Sequence, residues 1–214
     1  MDHLTDVDVR VLGSLIEKEI TTPDYYPLTL NALMNACNQL SNRDPVVEYD
    51  EDTVTAAIER LRKQNLVHQI KRSDSRVVKF RHVMTEEMVL DAPQLAVMCV
   101  LMLRGPQTAG EIRTRTNRLF DFASLEDVDA TLNALMSRLP VPPVVRLPRR
   151  AGQKEVRYAQ TLAGEVTLEA AETLSTPEPS AKERLDALER QMAEMQREME
   201  SLRARVESVV RQLE

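Results

Sequence analysis

The sequence predicts a mainly α-helical protein with small β-hairpin wings, in which two tandem winged-helix domains are followed by a C-terminal coiled-coil helix. An amphipathic helix runs directly into a basic hairpin at residues 50–82, and the same pattern returns 74 residues later. A helix followed at once by a two-stranded hairpin is typical of the end of a winged helix. An apolar heptad repeat then occupies residues 185–213. We therefore predict winged-helix domains at 1–83 and 84–164, a linker at 165–180 and a coiled-coil helix at 181–214.

The first copy of this pattern begins with a helix whose apolar residues fall on one face. They recur at i, i+3, i+4 and i+7, the spacing of a helix that lies on a core, and they are Val54, Ala57, Ile58 and Leu61. Asp50 is suited to cap this helix, because its carboxylate can accept a backbone N–H of the first turn. Apolar strands at 67–70 and 77–80 flank a polar turn, and together they form the first predicted wing.

The second copy repeats both the helix and the hairpin. A shift of 74 positions brings the apolar stripe onto Val128, Leu132 and Leu135. Ser124, three residues before Asp127, predicts a capping box at the start of this helix. Segments 143–147 and 156–158 then flank a second polar turn, whose basic residues include Arg149, Arg150 and Lys154. Two copies of one architecture are therefore expected.

Two helices are predicted before the first of these hairpins. The first spans Asp6 to Ile20, and its buried stripe consists of Val7, Val11, Leu12, Leu15 and Ile16. Two prolines then break the pattern, and a second helix is expected from about Leu28 to Gln39. Three asparagines recur on one face of that helix, namely Asn31, Asn35 and Asn38. A short strand at 46–49 is a candidate to pair with the wing.

Residues 17–46, EKEITTPDYYPLTLNALMNACNQLSNRDPV, form a long run of unusual residues. This run resembles the signature of the YceH-type family of uncharacterised bacterial proteins, and the resemblance extends over about residues 4–164. It implies a tandem winged-helix fold for both copies. It implies no particular activity, because the family has no established one, and the C-terminal heptad segment is not carried over from it.

Three further helices are predicted between the first hairpin and the second amphipathic helix. A short helical linker is expected at Thr85–Leu90, and Pro93 is suited to the first turn of the helix that follows. Gln94–Leu103 has almost no polar face, so it is expected at the centre of the second domain or between the two domains. The next helix is Thr108–Thr116, with Thr108 as its cap and Ile112 pointing inward.

Nine apolar residues with alternating steps of three and four predict the coiled coil. They are Leu185, Leu188, Met192, Met195, Met199, Leu202, Val206, Val209 and Leu213. With Leu185 at an a position, a parallel dimer brings Arg184 near Glu189, and Glu198 near Arg203, of the other chain. Both pairs are opposite in charge and favour a parallel homodimer. The alternative is a solitary helix that folds back on the domains.

The formal net charge of −6 is unevenly distributed along the chain. Residues 1–83 carry −2, residues 84–164 carry +1 and residues 165–214 carry −5. Residues 60–82, however, contain eight Lys and Arg residues and one acid, Asp74. An acidic chain therefore carries a locally basic surface.

Composition and motifs argue against several classes of protein. No apolar run reaches the ~20 residues that span a bilayer, and the N-terminus lacks the pattern of a signal peptide, so we expect a cytoplasmic protein. Cys37 and Cys99 lie in apolar helical patterns and are expected to be buried, reduced thiols. The three histidines show no metal-ligand spacing with them, and no Gly-rich phosphate loop or nucleophile elbow occurs. We therefore predict no metal, no cofactor and no enzyme activity.

Two winged helices on a dimerising stalk favour a DNA-binding, transcription-regulator-like protein. The backbone of double-stranded DNA carries a negative charge on every phosphate. A basic hairpin can neutralise several of these charges while a helix enters the major groove. The predicted nucleic-acid contacts are Arg62, Lys63, Lys71, Arg72, Arg76 and Lys79 in the first copy, and Arg149, Arg150 and Lys154 in the second. Basic hairpin tips are also common as ordinary solvated turns, and this alternative stays open.

The acidic character of the chain favours a different function, that of a protein-interaction scaffold. Acids occupy the N-terminal halves of both third helices, where a winged helix normally meets DNA, and acids repel phosphates. They are Asp50, Glu51 and Asp52 in the first copy, and Glu126, Asp127 and Asp129 in the second. The asparagine face, with Arg43, is a further candidate contact with DNA or with a partner. The same side chains also suit helix capping and the fastening of the following loop.

Overall fold

The computed structural model describes residues 3–71, 77–149 and 155–164. All of these residues lie in one compact unit, and the chain divides from a second unit between Ser175 and Thr176. The helices are α1 (Asp6–Thr21), α2 (Leu30–Cys37), α3 (Glu51–Lys63), α4 (Met84–Met88), α5 (Ala92–Arg104), α6 (Ala109–Thr116) and α7 (Leu125–Met136). The strands are β1 (Val67–Lys71), β2 (Val78–His82), β3 (Val144–Arg146) and β4 (Tyr158–Gln160). The tips of both predicted wings, the linker and the coiled-coil helix lie outside the described residues.

The described part is mainly helical with two small antiparallel sheets, which confirms the coarse fold class. β1 pairs with β2, and β3 pairs with β4. In each hairpin, one strand also forms a β-bridge with a residue that lies just before a helix. Leu28 bridges to Phe80, and Gln107 bridges to Tyr158. The order helix, bridge, helix, helix, hairpin therefore occurs twice. We call α1 to β2 the first half and α5 to β4 the second half.

Polar side chains cap the helices, and the predicted caps Asp50, Thr108 and Ser124 are among them. The Oδ1 atom of Asp50 accepts the N–H of Thr53 at 2.8 Å and starts α3. Thr5, Asp91, Thr108 and Ser124 each form a capping box with the residue three positions later. These caps satisfy backbone N–H groups that have no partner within the helix. The predicted stripes of α3 and α7 are buried, from Val54 to Leu61 and from Val128 to Leu135, so both amphipathic patterns are confirmed.

Three details differ from the sequence-based predictions. The predicted strand at 46–49 is wrong, because Leu28 takes the place beside Phe80 and Asn38 binds both backbone groups of Tyr49. α2 begins later than predicted, at Leu30, since Thr29 accepts the N–H of Ala32 at 3.2 Å and caps the helix. The returning strand of the second hairpin begins at Tyr158 rather than at residue 156. Tyr158 is the residue whose backbone pairs with Gln107.

α1 is buried on nearly all sides, because α2 and α3 pack on it from the first half and α5 packs on it from the second. Its predicted apolar stripe is confirmed, apart from a half-buried Val7. The polar residues Asp8, Arg10 and Glu17 are buried as well. A helix between two packed layers has no solvated face, so these charges need partners inside the protein.

α5 crosses α1 at a very short distance. The Sγ atom of Cys99 lies 3.5 Å from the carbonyl oxygen of Gly13. A Cβ atom at Gly13 would lie 3.0 Å from Leu103 Cδ2 and 3.1 Å from Met102 Cβ, so glycine is what permits this approach. Residues 95–103 are all buried, which agrees with the near absence of a polar face in the sequence of this helix.

Both cysteines are free and buried, as predicted. Burial raises the pKa of the Cys37 thiol to about 11, and burial likewise raises the pKa of Cys99. Both side chains are therefore neutral thiols at physiological pH, packed as small apolar groups in the core.

Candidate nucleic-acid interface

A groove of about 640 Å³ lies between the last turn of α3 and the first hairpin. Glu59, Arg62 and Lys63 line it from α3, residues 67–70 line it from β1, and Arg81 lines it from β2. The chain turns sharply here because Asn65 adopts a left-handed conformation, with φ of 58°. The N–H of Leu66 then bonds to the carbonyl of Leu61 at 2.9 Å, a common way to end a helix. The basic end of the helix is thereby held beside the hairpin.

The register of the hairpin shows which basic side chains share the face of Arg81, which lines this groove. Directly opposed residues of an antiparallel pair lie on the same face of the sheet. His68 lies opposite Arg81 and Ile70 lies opposite Lys79, so Lys79 shares the face of Arg81. Lys71 lies one residue further along β1 and therefore on the other face. Arg72 and Arg76 lie outside the described residues.

Arg62 and Lys63 supply positive charge in the groove, and Lys79 adds a further charge on the hairpin face of Arg81. Arg62 and Lys63 are exposed, and neither forms an ion pair within the part of the chain that the structure describes. Their neighbour Arg60 has a different role, because its Nε atom lies 3.0 Å from Oδ1 of the buried Asp8. Arg81 is partly neutralised by Glu86 at 2.9 Å.

Arg43 lies in the interior, away from this surface, and its side chain is fully buried. Its Nη1 and Nη2 atoms lie 3.1 and 2.6 Å from the two carboxylate oxygens of Glu17, and its Nε atom donates to the carbonyl of Ala36 at 3.1 Å. Burial alone would raise the pKa of Glu17, but the hydrogen bonds and charge of Arg43, helped by Lys18, outweigh burial and lower that pKa. The guanidinium group of Arg43 thus serves the fold, by joining α1 to the end of α2.

The three predicted asparagines divide into two groups. Asn38 donates from Nδ2 to the carbonyl of Tyr49 at 2.8 Å and accepts the N–H of Tyr49 at 2.8 Å. It therefore fastens the loop that follows α2, which is the alternative that the sequence left open. Asn31 and Asn35 are exposed on α2 and stay candidates for contact with DNA or with a partner.

The first turns of α3 and α7 are acidic and exposed. The exposed acids are Asp50, Glu51 and Asp52 on one helix, and Glu126, Asp127 and Asp129 on the other. Hydrogen bonds from the side chain and backbone of Thr53 lower the pKa of Asp50, so this cap stays anionic at neutral pH. Twelve residues separate Glu51 from Lys63, so the acidic and basic ends of α3 lie about 18 Å apart.

The second hairpin borders a groove that contains acids as well as basic residues. Arg149 is exposed and lines a groove of about 750 Å³, whose other walls are largely apolar and include Leu125, Leu147, Pro148, Val156 and Tyr158. Asp129 and Glu155 place two carboxylates in the same groove. Arg157 is already engaged, because its Nη1 atom lies 2.7 Å from the carbonyl oxygen of Pro106 and 3.0 Å from Oε2 of Glu111. Arg150 and Lys154 lie outside the described residues.

The sequence patterns identified the basic residues but missed the groove and its polar lining, His68 and Gln69. One signal was available, because an asparagine directly after a helix often marks a left-handed end that returns the chain on itself. The alternation in β2 also places Lys79 and Arg81 on one face. The width of the groove, in contrast, depends on packing between the helix and the hairpin.

Two further kinds of site are absent from the described residues. None of their helices has both the length and the apolar character needed to cross a membrane. No cluster of three or more His, Cys, Asp or Glu side chains among them is arranged to hold a metal ion.

Residues 4–153 match the family described as "Protein of unknown function, DUF480". The chain belongs to this family. UPF0502 proteins are among its relatives: one from Opitutus terrae is 51% identical over 190 residues, which cover 89% of the chain and 82% of the relative. Another, from Solibacter usitatus, is 50% identical over 207 residues, which cover 96% and 98%. A third, from Vibrio parahaemolyticus, is 44% identical over 212 residues, which cover 97% and 98%.

Membership of a family of uncharacterised bacterial proteins is thereby confirmed at the level of DUF480 and UPF0502, while the YceH name stays a resemblance. The similarity to two of these UPF0502 proteins continues well beyond residue 153 and includes the C-terminal part of the chain.

In this member of the family, the signature stretch at 17–46 supplies an internal network of hydrogen bonds. Arg10 contributes to it, since its guanidinium group donates to the carbonyls of Cys37 and Pro45 at 3.1 and 2.6 Å.

Proposed function

We propose that this DUF480 protein is a cytoplasmic, DNA-binding regulator with two tandem winged-helix domains, dimerised by its C-terminal helix. The observation that carries the proposal is the exposed pair Arg62 and Lys63 beside the first hairpin, with Lys79 on the same side. Neither residue of the pair has a carboxylate partner within the described residues. Both charges are therefore available to phosphates.

The order of the elements supports the winged-helix part of the proposal. In each half, a helix is followed by a bridging residue, two further helices and a hairpin. In the first half the last helix runs almost directly into the hairpin, and in the second half a loop at 137–143 joins the two. A last helix followed by a hairpin is the arrangement of a winged helix. Two such units in one chain offer two surfaces to a single duplex.

The charges of α3 favour an approach through its C-terminal end. Exposed acids at the N-terminal end repel phosphates, whereas Arg62, Lys63 and the hairpin attract them. Contacts of this kind position a protein on the duplex and carry no sequence information of their own. We therefore expect sequence-tolerant binding that weakens steeply as the salt concentration rises.

The test is binding of the full-length protein to a fluorescent duplex of random sequence over a series of salt concentrations. The double substitution Arg62→Gln, Lys63→Gln should weaken binding and reduce the salt slope by about 2, since each lost phosphate contact removes about one unit. The matched control is Arg62→Lys, Lys63→Arg, which exchanges the side chains but keeps both charges. It should keep the affinity and slope of the original protein.

Charge reversal at the hairpin tip extends the test to residues outside the described part. Replacing Lys71, Arg72 and Arg76 by Glu should weaken binding to all duplex sequences alike and flatten the salt dependence. Unchanged affinity in this triple variant would remove the wing from the mechanism.

A second candidate function, a protein-interaction scaffold, is favoured by one specific observation. The groove of the second half has largely apolar walls, and its two carboxylates balance its two arginines, Arg146 and Arg149; a groove of this kind suits a protein partner better than a phosphate backbone. Absence of duplex binding even at low salt would overturn the DNA-binding proposal and leave the scaffold as the function to pursue.

A further inference from the structure

The first strand of the first hairpin has an open edge. β1 pairs with β2 and with no other strand among the described residues. Phe80 of β2 directs its backbone groups away from β1, because it exchanges hydrogen bonds with Leu28 at 2.7 and 3.1 Å. Gln69 lies directly opposite Phe80, so its N–H and C=O point away from β2 in the other direction. Neither group has a hydrogen-bond partner within the described residues, and we call this side of the strand the open edge of β1.

The groove beside the open edge carries uncompensated positive charge. Arg81 lines it but is bound to Glu86 at 2.9 Å, and Glu59 is the one carboxylate of its lining. Four cations of the groove and hairpin have no carboxylate partner among the described residues, namely Arg62, Lys63, Lys71 and Lys79. These charges argue against pairing with the same edge of a second copy, because like charges would then meet across the contact.

The last described residue lies near this groove. A Cβ atom on Gly164 would lie 3.4 Å from Nδ1 of His3. Two residues further on, the hydroxyl oxygen of Thr5 lies 3.5 Å from Nη2 of Arg60, and Arg60 precedes Arg62 of the groove by two positions. The four residue steps between these side-chain contacts span at most about 15 Å. The chain therefore leaves the described part close to the groove.

Residues 165–175 follow directly and are acidic. They contain Glu165, Glu169 and Glu172 and no lysine or arginine. They belong to the same compact unit as the groove. A segment of this length extends up to about 36 Å, which is enough to reach the open edge. Its first five residues, EVTLE, alternate between polar and apolar side chains, a pattern typical of a strand.

We propose that residues 165–175 bind along the open edge of β1, with their glutamates beside Arg62 and Lys63. In strand addition of this kind, backbone hydrogen bonds supply the affinity and side chains supply the specificity. The backbone of Gln69 gains partners, and the carboxylates balance the free cations. The contact itself does not depend on DNA binding. On the proposed function, however, the segment covers two phosphate-binding residues and therefore competes with the duplex.

The experiment is crosslinking of the full-length protein, without DNA, by a water-soluble carbodiimide, which joins a lysine amine to a carboxylate in contact with it. After digestion, mass spectrometry should find peptides that join Lys63 to Glu165, Glu169 or Glu172. A mixture of unlabelled and nitrogen-15-labelled chains whose subunits have exchanged separates links within a chain from links between chains. Absence of a link to Lys63 overturns the proposal, and so does a link found only between chains.

Two arginine variants separate docking from random collision. Arg62→Gln keeps Lys63 as the reporter and should lower the yield of its crosslink about two- to fivefold, the effect of losing one exposed ion pair. Arg146→Gln removes the same charge from an exposed position on β3 and should leave the yield unchanged. Equal yields in both variants contradict the proposal. Circular dichroism verifies that each variant is folded.

Hydrogen exchange tests the pairing with β1. The N–H of Gln69 should exchange slowly in the full-length protein, and faster when Glu165, Glu169 and Glu172 are all replaced by Gln. The N–H of Phe80 is the internal control, because it is already bonded to Leu28 and should exchange equally slowly in both proteins. An unchanged rate at Gln69 overturns the proposed pairing.

Discussion

At the scale of single residues, the buried charges of α1 hold the fold together across long sequence distances. Asp8 binds Arg60, Arg10 binds the carbonyls of Cys37 and Pro45, and Glu17 binds Arg43. A buried charge without a partner is strongly unfavourable. Each of these contacts therefore fixes one later segment of the first half against the first helix.

Glu17 carries the clearest prediction at this scale. Glu17→Gln should lower the free energy of unfolding at pH 7 by about 3 kcal/mol, because it leaves the buried Arg43 without its counter-charge. Urea unfolding measures the change. An unaltered free energy of unfolding would show that the pair contributes nothing to stability.

The same substitution should also change the dependence of stability on pH. The folded protein holds the pKa of Glu17 below its ordinary value of 4.5. The resulting stability is fully present above pH 4.5 and is lost as the pH falls through the lower, folded-state value. Glu17→Gln should therefore flatten the acid side of the stability curve. Glu48→Gln, at an exposed position, is the control and should keep the original acid dependence.

At the scale of the elements, α1 and α5 form the most extensive contact between the two halves. Gly13→Val should lower the free energy of unfolding by about 1–3 kcal/mol, since the added methyl groups meet Leu103 and Met102. Gly110→Ala is the control, because a Cβ there has only one neighbour, at 4.0 Å. Alanine should stabilise α6 by about 0.5–1 kcal/mol. Thermal and urea unfolding compare both variants, and a stabilised Gly13→Val protein would contradict the described crossing.

The elements also show which parts of the fold the sequence could predict. Caps such as Asp50 and Ser124 and the stripes of α3 and α7 are local signals, and they were predicted correctly. The pairing of Leu28 with Phe80 joins residues far apart in the chain, and no local pattern specifies it. The apolar stripe of α1 was predicted, but the burial of Asp8, Arg10 and Glu17 on the same helix depends on its packing against other helices, which no local pattern specifies. The candidate site shows the same contrast between local signals and long-range packing. Its basic residues were predicted from the sequence, but its groove was not.

At the scale of the whole molecule, the proposed homodimer depends on residues beyond the described ones. A chain ended at Ser180 lacks the complete heptad repeat that begins at Leu185. We expect this truncated protein to be a smaller oligomer than the full-length chain, because it lacks the apolar residues that are proposed to form the dimer contact. Light scattering measures both masses. A truncated protein that is still a dimer would show that the domains themselves assemble.

The close contact of Gly13 with Leu103 also affects the way the protein is made. A ribosome adds roughly 5–20 residues per second, and 90 residues separate these two contact positions. α1 therefore leaves the ribosome about 5–20 s before α5 can cover it. During that interval the apolar surface around Gly13 is open to water and to neighbouring nascent chains. Chaperones that protect apolar segments during translation are thus expected to act on the first half and to release it once α5 has emerged.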